Sequence, residues 1–275
     1  MKNQPKIICL PLLVLIIQAC SHGPYHKTNL IYKEKSKALS GIIRSEPGND
    51  VKADSIKLPA TWVGTVNFGL RKPNFVILHY TAQNSCEQTL KTFSNAQTQV
   101  SAHYVICKDG TLHHMLNDYL RAWHAGAGKW GNQSDINSAS VGIEIDNNGT
   151  EPFAPAQINV LMALLDTLKN RHNIPQANFI GHSDIAPSRK IDPGVLFPWQ
   201  TLAEKGFGNW YGDTSQLQIP ADFNQTQALR IIGYDVSNLS AAINAFRLHF
   251  IQTAATGALT EPERKILYAV MLKFI

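Results

Sequence analysis

I-G-H-S-D-I-A-P-S-R-K-I-D-P-G, residues 180–194, brings an apolar run up to a histidine and then into a proline-punctuated loop. Asn178-Phe179-Ile180 reads as a short buried strand, and loops held by a rigid sheet are where chemistry gathers. The loop carries His182, Lys190 and Asp192. His182 and Asp192 are borderline ligands for zinc, and Lys190 sets a cation beside them. A catalytic zinc takes three protein ligands and keeps one position open. The third candidate lies about a hundred residues upstream, at His79, near the end of F-V-I-L-H-Y-T, residues 75–81. This β-branched and aromatic run is bounded by Pro73-Asn74 and Gln83-Asn84-Ser85, and it reads as a second buried strand.

Outward from these two strands the chain alternates. Ser85 to Gln99 has Leu90 and Phe93 at helical spacing and a serine to cap it. Ala102 to Cys107 reads as a strand, Asp109-Gly110 as a hairpin turn, and Leu112 to Met115 as the return strand. S-V-G-I-E-I-D, residues 140–146, is another strand. Pro155 to His172 is the clearest helix, with Ile158, Leu161, Leu164, Leu165 and Leu168 on one stripe. Such alternation predicts an α/β domain over residues 58–212, a mixed central β-sheet flanked by helices. Residues 213–221 read as a polar linker. Residues 222–275 read as a small all-α C-terminal domain. Gly233 stops its first helix, Ser237 caps the second, and Thr260 with Glu263 forms a capping box for the third.

Composition narrows the function classes. With 44% hydrophobic and 16% charged residues in 275, the chain is not wholly disordered and can bury a substantial core. A formal charge of +5 is too mild to argue for nucleic acid, and no phosphate-cradling GxxxxGK[ST] occurs. No obligate protein partner is expected. Residues 1–20 read as an export signal: Lys2 and Lys6, then an apolar run from Ile7 to Ile17 that is too short to span a bilayer. The ending Ile17-Gln18-Ala19-Cys20 resembles the bacterial lipoprotein signal. That likeness implies lipid on Cys20 and a periplasmic protein anchored to a membrane. Ser21, rather than Asp, after the cysteine favours the outer membrane. Residues 21–57, polar and lysine-rich, read as a flexible tether. Cys86 and Cys107 would sit in an oxidising compartment; one bridge and two buried thiols both remain open.

Glu144 is the further candidate. Alternation puts Val141, Ile143 and Ile145 on one face of its strand and Gly142, Glu144 and Asp146 on the other. A carboxylate in so apolar a strand faces water or a partner. It is placed to act as a general base toward water and then as an acid toward a leaving amine. Lys190 is placed to stabilise an oxyanion. Singly, each residue has an ordinary explanation, a strand-end histidine or a solvated lysine; the set is what points to metal-assisted amide hydrolysis. No HExxH occurs, so the helix-borne metalloprotease arrangement is excluded.

Five motifs in order carry a family resemblance: I-L-H-Y-T at 77–81, S-A-H-Y at 101–104, W-H-A-G at 123–126, S-V-G-I-E-I at 140–145, and G-H-S-D-I-A-P-S-R-K-I-D-P-G at 181–194. Together they resemble the zinc-dependent N-acetylmuramoyl-L-alanine amidases of the AmpD/AmiD type. These share a fold with the phage T7 lysozyme-type amidases and the peptidoglycan recognition proteins. The resemblance implies one Zn²⁺ held by His79, His182 and Asp192, with Glu144 as acid/base and Lys190 as oxyanion stabiliser. It implies cleavage of the amide between N-acetylmuramic acid and L-alanine in peptidoglycan or muropeptides. His103, Trp123 and His124 fall in motifs near the expected cleft and are candidates for substrate contact. Residues 222–275 look like a peptidoglycan-binding helical module. The alternative is a non-catalytic peptidoglycan-binding lipoprotein on the same fold.

Overall fold

The computed structural model describes residues 23–44, 50–53, 56–59 and 65–275. The segment expected to be an export signal, with Cys20, lies outside the described residues. Two compact units divide the chain at Asn67 and Phe68.

The first unit holds helix α1, His26–Arg44, and an antiparallel pair, β1 at Asp50–Ala53 and β2 at Ile56–Pro59. Within the segment expected to be a flexible tether, His26–Arg44 is helical. Ile31, Leu39 and Ile42, and likewise Tyr32, Leu39 and Ile43, recur at spacings of three, four, seven, eight and eleven residues that return to one helical face. Lysines scattered through the segment hide this period from a reading by composition. No residue of α1 is buried.

The second unit is built on a five-stranded sheet of order β5-β4-β6-β3-β7. Its strands are β3 (Phe75–Tyr80), β4 (Tyr104–Ile106), β5 (Leu112–His114), β6 (Ser140–Ile145) and β7 (Phe179–Gly181). The neighbours β4, β6, β3 and β7 run parallel, and β5 is antiparallel at the edge. The mixed α/β sheet expected from the alternation is therefore present.

Both sheet faces are covered. Val76, Leu78, Val141, Ile143, Ile145 and Phe179 pack with Leu161, Leu164, Leu165 and Leu168 of α4, Pro155–His172. That helix has the span and the stripe that its period predicts. Leu202 of the short helix α6 (Trp199–Glu204) closes the same face. On the other side, Ile77 and Ile180 share a core with Leu229 of α7 (Gln225–Ile232), Phe246 of α8 (Leu239–Phe246) and Leu267 of α9 (Glu261–Met271). Residues 222–275 are thus not a separate domain. They supply the second cover of the sheet, because strands buried on both faces need apolar surface on each.

Local signals are mostly where the residue types put them. Ser85 accepts from the Gln88 amide at 3.2 Å and caps α2, Cys86–Ser94. Gly233, at φ 131°, ends α7. Thr260 and Glu263 form the capping box of α9. Asn238, not Ser237, caps α8, by accepting from the Ala241 amide at 3.1 Å. Cys86 and Cys107 form a disulfide, with Cα atoms 5.3 Å apart, that ties the start of α2 to the end of β4.

Two buried polar clusters hold the C-terminal helices. Asp184, fully buried, accepts from the Gly181 amide, the Tyr234 hydroxyl and His249 Nδ1 at 2.7, 2.7 and 2.8 Å. Gly181 and Asp184 flank His182, which opens the short helix α5, His182–Ile185. The C-terminal segment therefore grips the histidine-bearing loop from behind. The second cluster is Arg247, also buried. It donates to the Gly257 and Ala258 carbonyls at 2.8 and 2.7 Å and to both carboxylate oxygens of Glu263 at 2.8 and 3.1 Å.

The Arg247 hydrogen bonds hold the Glu263 carboxyl down at about 2, from an ordinary 4.5. A depressed carboxylate contributes stability above its unfolded value and loses it as pH falls through the folded one. Glu263→Gln is expected to cost about 3 kcal/mol at neutral pH, because it leaves a buried guanidinium without its counter-charge. Urea unfolding of both proteins should show this gap shrinking as pH falls from 4.5 toward about 2. A gap independent of pH would remove the ion pair as its cause.

Candidate metal centre

Strand register builds the centre. His79 pairs with Glu144 across β3 and β6, and Leu78 pairs with Gly181 across β3 and β7. His79, Glu144 and His182 are therefore neighbours at the carboxyl ends of three parallel strands, the edge where open α/β sheets bind ligands. The 182–192 loop then turns back. The Ser183 amide donates to the Asp192 carbonyl at 2.8 Å, and the Lys190 amide donates to the Ala186 carbonyl at 3.0 Å. This return brings Asp192 beside His182.

Three atoms converge there. His79 Nδ1, His182 Nδ1 and Asp192 Oδ2 stand 3.0 Å apart on every side of a triangle. All three residues are buried. Ligands about 2.0–2.1 Å from a tetrahedral zinc stand roughly 3.3 Å apart, close to the spacing seen. Two imidazoles and one carboxylate are also the composition of a catalytic zinc set. The donor set fits the metal that the sequence implies.

The electrostatics agree with a metal site. Burial first, and then the neighbouring His182, hold the His79 imidazole down to about 4, so it is neutral and able to ligate at physiological pH. Burial acts to raise Asp192, but the adjoining His182 and His79 rings outweigh it and keep the carboxyl well below the ordinary range. Glu144 moves the other way. Burial, and then the negative Asp192, push its carboxyl well above 4.5, while Lys190 pulls against them.

A cleft of about 350 Å³ opens onto the centre. Its lining brings together His79, Trp123, Glu144, His182, Lys190 and Asp192. Trp123 is an exposed wall of the cleft, with 47% of its surface accessible, and not a core aromatic. His124 borders the cleft but is buried behind His79, its Nδ1 3.1 Å from His79 Nε2. His103 does not reach the cleft lining. The Gly142 amide donates to its Nδ1 at 3.0 Å, and its Nε2 donates to the Leu120 carbonyl at 3.0 Å. Arg71 lies against the same ring and donates to the Ser138 and Asp118 carbonyls at 2.8 and 2.7 Å. The candidacy of His103 for substrate contact is corrected: its polar atoms are spent on fixing backbone.

Sequence reasoning missed Arg189, which also lines the cleft and donates to the Ala127 carbonyl at 3.0 Å. It also missed Asp184, whose burial in the stretch between Gly181 and Pro187 has no periodic signal.

Comparison with known proteins bears on this arrangement. Residues 69–195 match the family model described as N-acetylmuramoyl-L-alanine amidase. The chain is 32% identical over 231 residues to the N-acetylmuramoyl-L-alanine amidase AmiD of Escherichia coli strain K12, covering 72% of this chain and 82% of AmiD. It is 37% identical over 105 residues to the 1,6-anhydro-N-acetylmuramyl-L-alanine amidase AmpD of Haemophilus influenzae, covering 38% of this chain and 57% of that protein. Among solved structures, AmiD from E. coli in complex with anhydro-N-acetylmuramic acid-L-Ala-D-gamma-Glu-L-Lys has a TM-score of 0.66 at 28% identity, covering 82% of this chain and 98% of that one. AmpDH3 from Pseudomonas aeruginosa in complex with an anhydromuramic pentapeptide has a TM-score of 0.67 at 29% identity, with the same coverage. With the ligand triangle, the Glu144 neighbour and this breadth of similarity in hand, the chain belongs to the N-acetylmuramoyl-L-alanine amidase family.

Proposed function

We propose that this protein is a zinc-dependent hydrolase that cuts the amide between N-acetylmuramic acid and L-alanine in peptidoglycan or its muropeptides. The observation that carries the reading is the triangle of His79, His182 and Asp192 donors, 3.0 Å on each side, with Glu144 beside it in one cleft. One zinc ion on those three residues supplies Lewis-acid polarisation and acidifies water toward neutral pH.

Glu144 takes a proton from the attacking water and gives it to the leaving L-alanine amine. Its raised carboxyl suits a group that must do both near neutral pH. The Lys190 ammonium stands close enough to act on the charge of both Glu144 and His79. There it stabilises the negative oxygen that develops on the amide carbonyl. Trp123 offers an exposed indole face at the cleft wall for a sugar ring or a peptide. AmiD and AmpDH3 were captured with anhydromuramyl peptides, so that class is the first substrate to offer.

Anchorage is a second part of the proposal. Cys20, at the end of the apolar signal, carries lipid and holds the protein on the periplasmic side of the outer membrane. Among the described residues no helix is long and apolar enough to cross a membrane. Helix α1 begins six residues after Cys20, with Lys27, Lys33, Lys35, Lys37 and Arg44 against a single Glu34. A basic helix beside the lipidated cysteine adds attraction to anionic lipid heads.

Two outcomes follow. Glu144→Gln should retain about one zinc per chain by metal analysis while turnover of an anhydromuramyl peptide drops by about 10²–10⁴-fold. Loss of zinc from that variant would make Glu144 a ligand instead of a base, and unchanged turnover would remove its role. Cys20→Ala should move the protein from the membrane fraction to the soluble periplasm with its amidase activity intact. Continued flotation with outer membrane would show that lipid on Cys20 is not the anchor.

A further inference from the structure

Neutral histidine exists in two forms, and only the one with a bare nitrogen toward the metal can ligate. The hydrogen bonds behind the metal centre decide which form each ligand takes. The Ser140 hydroxyl donates its one hydrogen to the Ile136 carbonyl at 2.6 Å. Its oxygen can then only accept from His124 Nε2, 3.1 Å away. With the His124 proton on Nε2, its Nδ1 is bare and accepts from His79 Nε2 at 3.1 Å. The His79 proton is therefore on Nε2, and its Nδ1 is left bare, facing His182 Nδ1 and Asp192 Oδ2.

The second histidine is set from the next residue along. His182 Nε2 donates to the Ala125 carbonyl at 3.4 Å, which leaves its Nδ1 bare as well. One stretch, Trp123 to Gly126, thus serves both ligands. It is itself held in place. Asn137 Oδ1 accepts from the amides of His124 and Ala125 at 3.0 and 2.9 Å. Gly142 leaves the space that the His124 ring fills: a Cβ there would lie 2.5, 2.6 and 2.7 Å from three ring atoms.

We propose that His124, oriented by Ser140, is a positioning residue that sets the proton and the ring angle of His79, and that the Ala125 carbonyl does the same for His182. This inference rests on the metal reading above. It gives W-H-A-G a role distinct from substrate contact. It also gives Gly142 a reason to interrupt an otherwise bulky strand. Partners behind metal ligands typically contribute 10–100-fold to metal affinity.

The test uses the chain from residue 21 to 275, with zinc affinity measured by competition against a chromophoric chelator. The visible absorption of the cobalt-substituted protein and the thermal unfolding of the metal-free protein are recorded alongside. His124→Leu removes the acceptor for His79 Nε2. It is expected to weaken zinc binding by about 10–100-fold and to alter the cobalt spectrum. His124→Asn places an amide oxygen near the position of the lost Nδ1, and it should restore most of the affinity. If His124→Leu does not fold, Ser140→Ala carries the test, with weaker zinc binding expected because the His124 proton is no longer directed.

His124→Leu or Ser140→Ala binding zinc as tightly as the unaltered protein would overturn the proposal. So would His124→Asn binding as poorly as His124→Leu, since ring volume and not hydrogen bonding would then be what counts. Failure of the unaltered chain to bind zinc is a different result. It would overturn the metal reading, and this inference with it.

Discussion

The parallel register of β3 between β6 and β7 is the constraint on which the site depends. Because His79 lies opposite Glu144, and Leu78 opposite Gly181, three chemically active side chains arrive at one end of the sheet. Side chains alternate with period two, so a slip of one residue would turn His79 into the apolar layer that holds Val76 and Leu78. The Val76 and Leu78 face is packed against α4, and that burial prevents the slip. Core packing on one face of β3 thereby fixes the chemistry on the other.

Burying histidines and carboxylates at that sheet edge is costly unless each polar atom is paired. The structure meets this with layered hydrogen bonds rather than with solvent. In front, His79, His182 and Asp192 converge on the position that a metal ion would take; behind, His124, Ser140 and the Ala125 carbonyl hold the two rings by hydrogen bonds. One layer further out, Asn137, His103 and Arg71 hold the backbone that carries these groups. Desolvation then acts in opposite senses on different groups. It keeps the His79 imidazole neutral and raises the Glu144 carboxyl, which are the states that ligation and proton transfer each need.

The C-terminal helices belong to the same argument from burial. They complete the core on the Ile77 and Ile180 side, and through Tyr234 and His249 they hold the buried Asp184 two residues beyond His182. A segment that looks like an appended module in sequence is a structural cover for the sheet and a grip on the metal-bearing loop.

The sequence by itself determined the α/β class, the strand and helix order, the α4 stripe, the caps at Ser85 and Thr260, and the candidate set His79, Glu144, His182, Lys190 and Asp192. These were legible because each is a local matter of periodicity, capping chemistry or donor type. Only the tertiary structure decided what depends on distant residues meeting. It joined residues 222–275 to the sheet, since an amphipathic helix shows its apolar face but not what covers it. It put Trp123 in the cleft, His124 behind a ligand and His103 out of reach, although all three lie in similar His- or Trp-bearing motifs. It paired Cys86 with Cys107, as no spacing rule could. It also made a helix of residues 26–44, where the apolar period was masked by lysines. Which neighbour a side chain finds is set by packing across the chain, and that information is absent from any single stretch of it.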